Sequence, residues 1–198
     1  MSERARFLLA TLCGLVLAAG VHIAIVLAIP DFAQQDALSR LRGTISEETA
    51  QLIAAPGGAE TWMPDPDPST AVAACAYDLQ QGPVRVSAKA GPLLQSLSFH
   101  ARGAGVFFAV TDRAAVRGEL ELVVLTRRQL DEALAEEDED EPTQDVRIVA
   151  PRREGSVIVR VVAATPTLRA QAEEAAKAVS CTIEGDAEAA PPAAAPGG

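Results

Sequence analysis

PVRVSA at residues 83–88 and LLQSLSF at residues 93–99 decide how this chain is read. In the first, Val84 and Val86 alternate with Arg85 and Ser87; in the second, Leu97 and Phe99 alternate with Ser96 and Ser98. Alternation of that kind gives each segment one apolar and one wet face, as in an antiparallel sheet. Working outward, the same pattern predicts strands at 72–79, 106–111, 119–126, 145–149 and 156–163. The breaks between them carry turn chemistry at Gln81-Gly82-Pro83, Gly91-Pro92, Arg102-Gly103 and Glu154-Gly155. Residues 50–55 read equally well as a strand or as the end of a helix.

Two helices interrupt or close the sheet. One runs from Arg127 to about residue 137, with Thr126 as N-cap and with Leu130 and Leu134, four apart, turned toward the sheet. The other opens at Pro166-Thr167, with Leu168, Ala172, Ala175, Ala176 and Val179 facing inward. The tail AEAAPPAAAPGG is low-complexity and is expected to be disordered.

The N-terminal side is a different solvent problem. Residues 7–29, FLLATLCGLVLAAGVHIAIVLAI, contain no charge. A helix of that length spans about 35 Å, against a hydrocarbon core of about 30 Å. Pro30 is expected to stop the helix and Asp31 to return the chain to water. A cleaved signal peptide would have a shorter apolar core and a small-residue cleavage site. Ala28-Ile29-Pro30 is a poor one, so an uncleaved anchor is favoured. The fold class expected is α+β: one N-terminal transmembrane helix, then a mostly antiparallel β-sheet domain with flanking helices. The predicted divisions are 1–30 (cytoplasmic N-terminus and anchor), 31–70 (short helix and proline-rich linker), 71–182 (domain) and 183–198 (tail).

Charge narrows the partners. The 198 residues carry a formal net charge of −10. Glu3, Arg4 and Arg6 give the first 30 residues +1, which leaves −11 on the rest. Such a surface repels nucleic-acid phosphates and anionic lipid headgroups. Attachment to a membrane must then come from the apolar helix, and no nucleic-acid partner is expected. Arg4 and Arg6 before the helix and acidic residues after it place the N-terminus in the cytoplasm and the domain in the periplasm of a bacterial inner membrane, by the positive-inside rule. Arg40 and Arg42 pull the other way.

Cysteine usage agrees with export. Cys13 lies in the apolar helix, whereas Cys75 and Cys181 bracket the domain, and neither has the spacing of a redox or zinc motif. A disulfide between them, expected in an oxidising compartment, would close a long loop. Two buried free thiols are the alternative.

The search for chemistry finds little. There is no metalloprotease, nucleophile-elbow, P-loop or dinucleotide motif. No catalytic residue, metal site or cofactor is expected, and a non-enzymatic role is favoured over an enzymatic one. His22 sits in the apolar helix, where it is read first as a neutral side chain and second as a helix–helix contact. His100 and Arg102 end one predicted strand, and Asp112 and Arg113 end the next. Gathered on one rim, these four could bind a ligand or act in acid–base chemistry, although polar decoration of strand ends explains them as well. The acidic run at residues 136–141 lacks the glycine that folds a calcium loop and reads as a solvated segment.

One resemblance covers residues 7–181. VHIAIVLAIP, DALSRL, DPSTAVAACAYDL, GPVRVSA, SLSFHARGAGVFFAVTDR, LELVVLT and EGSVIVRVVA occur in an order and spacing that resemble the small alphaproteobacterial membrane proteins of the family called domain of unknown function 1254. The chain departs from that pattern at Leu94-Gln95, at His100-Ala101 and in the acidic run. The resemblance implies an exported domain on one membrane helix and a companion membrane protein as partner. It carries no catalytic residues. The function expected is an envelope interaction module; the alternative is a ligand binder or enzyme using the His100, Arg102, Asp112 and Arg113 rim.

Overall fold

A computed structural model of the chain describes residues 2–41, 48–58, 61–136 and 145–184. These form two compact units, Met1–Ala37 and Leu38–Gly198. The predicted tail beyond residue 184 and most of the acidic run lie outside the described residues.

The first unit is helix. Helix α1 runs from Glu3 to Leu41. Its segment Glu3–Ile29 has a mean hydropathy of 2.6 and none of it is buried; it is the one helix among the described residues long and apolar enough to cross a membrane. The helix does not stop at Pro30 as expected. A proline removes one donor and strains one turn, but the residues after it, Ala33 through Leu41, are mostly good helix formers and carry the helix onward.

Among the described residues the second unit holds nine strands in two sheets. The strands are β1 (Gln51–Ala54), β2 (Thr70–Asp78), β3 (Val84–Lys89), β4 (Gln95–Ala101), β5 (Gly105–Thr111), β6 (Glu119–Leu125), β7 (Val146–Val149), β8 (Glu154–Val162) and β9 (Ser180–Ile183). One sheet has the order β1-β2-β8-β4-β5 and is antiparallel throughout. The other has the order β7-β6-β3-β9, with β6 and β7 parallel. Helix α2 (Arg127–Glu136) makes the crossover that a parallel pair requires. The α+β class is as predicted, and the sheet is two layers rather than one.

The alternating strands form the core between the layers. Val84, Val86 and Ala88 of β3 and Leu120, Leu122 and Val124 of β6 meet Leu97 and Phe99 of β4 and Val157, Val159 and Val161 of β8. Each fully buried Val, Leu or Phe contributes about 1.5–3 kcal/mol. The third layer element is helix α3 (Arg169–Lys177), which follows a short 3-10 turn at Pro166–Leu168. Ala172 and Ala176 are fully buried, in the same core as Ala71 and Ala73 of β2. Small side chains here let the helix approach the sheet closely.

Strand β2, TAVAACAYD, is buried on both faces. Ala71, Ala73, Cys75 and Tyr77 enter the main core. Ala74 and Ala76 face a second cluster with Leu41, Ile53 and Ile158. On the four-stranded sheet, Arg85 of β3 draws together Asp145 at 2.8 Å, Glu184 at 2.7 Å and Glu121 at 3.4 Å. One guanidinium thus ties β3 to β6 and to residues flanking β7 and β9.

Two expectations need correction, and one open reading is settled. Leu134 is exposed, because α2 is pinned to the domain through its first turn, where Gln129 Nε2 donates to the Leu79 carbonyl at 3.0 Å. The residues after the last helix, in which no strand is expected, form strand β9 (Ser180–Ile183), paired with β3, so Ile183 belongs to the sheet and not to the tail. Of the two readings open for residues 50–55, the strand is the one formed, as β1.

Candidate functional site

Cys75 and Cys181 form the predicted disulfide, between β2 of one sheet and β9 of the other. The predicted rim does not assemble. β4 and β5 do form a hairpin, with Ala101 opposite Gly105 and Ser96 opposite Thr111. In that register the end of β4 adjoins the start of β5. His100 and Arg102 therefore lie at the turn, and Asp112 and Arg113 lie beyond the other end. At about 3.3 Å per residue the two pairs are roughly 15–20 Å apart.

His100 is built into the sheet surface. Its Nε2 is 3.1 Å from Ser98 Oγ, and Arg160 Nη1 donates to the same hydroxyl at 3.4 Å. Burial, with the Arg160 guanidinium beside it, holds the imidazole below its ordinary range. Its backbone carbonyl accepts a hydrogen bond from Tyr77 Oη at 3.1 Å, and burial pushes the Tyr77 phenol up. Gly155 sits against both: a Cβ there would overlap the His100 carbonyl oxygen and the Tyr77 ring.

Of the four predicted rim residues, Arg102 lines a cleft that the other three do not. The cleft holds about 570 Å³ and is floored by Thr126, Ala150 and Pro151. Asp78 and Glu154 stand opposite one another in the β2–β8 ladder, a like-charge pair. Arg102 offsets it by donating to Glu154 at 2.6 Å, and Asp78 accepts the Gln80 amide at 3.0 Å. Arg152 and Arg153 complete the wall. Sequence reading passed over this pair because residues 151–155 were legible only as a turn; nothing local told that they would face Asp78 and Gln80 across the fold.

The second feature is an edge. Four strands end the two sheets. β1, β7 and β9 are four residues each, too short to offer much ladder. β5 has seven residues, GVFFAVT, with no charge and no proline. It pairs with β4 on one side and, among the described residues, with no strand on the other. A bulge opposite Phe99 and His100 turns both Phe107 and Phe108 toward Phe99, at ring centroid distances of 6.4 and 5.7 Å. Val106 and Ala109 are left exposed. Natural sheets usually blunt such an edge with charge, proline or a cover.

Among the described residues no group of three or more His, Cys, Asp or Glu side chains could hold a metal ion. No family model matches the chain, and no curated protein matches it. Among solved structures it is similar to the VPA0106 protein of Vibrio parahaemolyticus, with a TM-score of 0.54 and 12% identity over 80% of this chain and 37% of that one. It is also similar to an uncharacterised protein from Burkholderia cenocepacia, with a TM-score of 0.49 and 12% identity over 80% of this chain and 41% of that one. The chain thus spans well under half the length of either. The likeness to the Vibrio protein is one of fold.

Proposed function

We propose that this chain is a single-pass envelope protein of a bacterial inner membrane, with a periplasmic domain that docks a companion membrane protein. The observation that carries the docking reading is β5. An uncharged seven-residue edge strand, unpaired at one side among the described residues, supplies main-chain groups and apolar side chains, the chemistry of strand addition. The occupant is an extended segment of the companion protein, laid beside β5. The resemblance to the domain of unknown function 1254 family supports a companion.

Anchoring by Glu3–Ile29 rests on its length and hydropathy. Export is supported by the Cys75–Cys181 pair, because disulfides persist in oxidising compartments. No enzymatic role is proposed: the residues that suggested one are split between the two ends of a hairpin.

The test is purification of the tagged, full-length chain from its native membranes in mild detergent. One envelope protein in stoichiometric amount is expected, and it should be lost from the Ala109→Lys variant. A chain that elutes alone would refute the docking reading.

A further inference from the structure

We propose that the cleft between the start of β8 and the end of β2 is a binding site for a small organic anion bearing carboxylate or phosphate groups, held by Arg152 and Arg153. This site is separate from β5 and does not rest on the docking reading.

Four observations carry the inference. First, the charges are divided unequally. Arg102 is engaged by Glu154, and Asp78 by the Gln80 amide. Arg152 and Arg153 have no carboxylate partner among the described residues. Three guanidiniums against two carboxylates make the cleft wall net positive, on a chain whose formal charge is −10. A cationic concavity on an acidic surface focuses field on anions.

Second, both arginines serve the same space. Consecutive residues of an extended strand would point to opposite faces. Residues 151–153 form a bend instead, and both residues line the cleft.

Third, the platform is pinned on three sides. The Leu79 amide donates to the Arg153 carbonyl at 3.0 Å, the Arg102 amide to the Glu154 carbonyl at 3.0 Å, and the Ala150 amide to the Leu125 carbonyl at 2.9 Å. Preset backbone lowers the ordering cost of gripping a ligand.

Fourth, size selects the class. A cleft of about 570 Å³ falls within the usual range for small-molecule sites and is far too large for a halide. Guanidinium forks match the paired oxygens of carboxylate and phosphate. The same chemistry is offered by a free organic anion and by a phospholipid headgroup.

The experiment is calorimetric titration of the full chain in neutral detergent with citrate, glycerol phosphate and a short-chain anionic phospholipid. The wild type is compared with Arg152→Ala/Arg153→Ala and with Arg152→Lys/Arg153→Lys. Saturable binding of at least one probe is expected, weakened about tenfold or more by the alanine pair and less by the lysine pair. Binding of citrate or glycerol phosphate assigns a free anion; binding of the phospholipid alone assigns a headgroup. Both arginines are exposed, so the alanine pair should melt like the wild type. Saturable binding that the alanine pair leaves unchanged, or no saturable binding of any probe, overturns the proposal. Ala109→Lys should leave the titration as it is, which separates this outcome from failure of the docking reading.

Discussion

Cys75 and Cys181, 106 residues apart in sequence and 6.6 Å apart at Cα, join the two sheets of the domain across its core. β2 has a strand on either side, whereas β9 is a four-residue strand paired with β3 and bridged on its other side only at Thr49–Ser180 among the described residues. In the chain-entropy view, closing a loop of this size stabilises by about 4–5 kcal/mol. Cys75→Ser with Cys181→Ser is therefore expected to lower unfolding free energy by that order in denaturant melts. Thiol alkylation of denatured, unreduced protein should label Cys13 and neither partner. Labelling of all three would place the domain in a reducing compartment.

Gly155 is expected to tolerate no side chain. A methyl group there meets the Tyr77 ring and the His100 carbonyl, both held by the β2–β8–β4 ladder. Gly155→Ala should cost about 1–3 kcal/mol, as overpacking of a well-filled core does. Tyr77→Phe keeps the ring but removes the donor to the His100 carbonyl, and should cost about 0.5–1.5 kcal/mol. Urea melts of the two variants would show whether Gly155→Ala is the more damaging.

Two groups make stability fall as pH falls. His100 is held below its ordinary range, so the unfolded chain binds its proton more readily. Its contribution is present above about pH 6.5 and is lost as pH drops through the folded value. The hydrogen bond from Arg85 holds the Asp145 carboxyl down as well. Its contribution is present above about pH 3.9 and is lost at more acid pH. Arg85→Ala should therefore destabilise at neutral pH, by about 1 kcal/mol for a partly exposed cluster. The gap to wild type should close at low pH. A gap independent of pH would show that Arg85 acts through packing alone.

The edge strand should separate stability from association. Ala109 is exposed on β5, so Ala109→Lys is expected to change unfolding free energy by no more than about 0.5 kcal/mol. A charge at that point blunts an open edge. Loss of the companion with unchanged melting is the expected pair of results.

Seven strands are legible in the sequence to within a few residues, and in β3 and β4 the alternation follows from one face lying in the core. β2 was found although it alternates poorly; burial on both faces removed the polar positions that would have marked it. β9 was missed because four residues after a helix carry no period. The rim failed on topology: His100 and Asp112 both end strands in sequence, but an antiparallel register sends those ends apart. Arg102 was legible and its cleft was not, since Asp78, Arg153 and Glu154 meet only through the pairing of β2 with β8. Pro30 does not outweigh the helix-forming residues that follow it.

The most direct test of the central claim is photo-crosslinking in intact cells, with a photoreactive amino acid in place of Ala109 in the full chain. The account predicts one discrete adduct, containing an integral membrane protein and absent when the probe replaces exposed Arg128 on α2. No adduct at Ala109, or only adducts between copies of this chain, would contradict it.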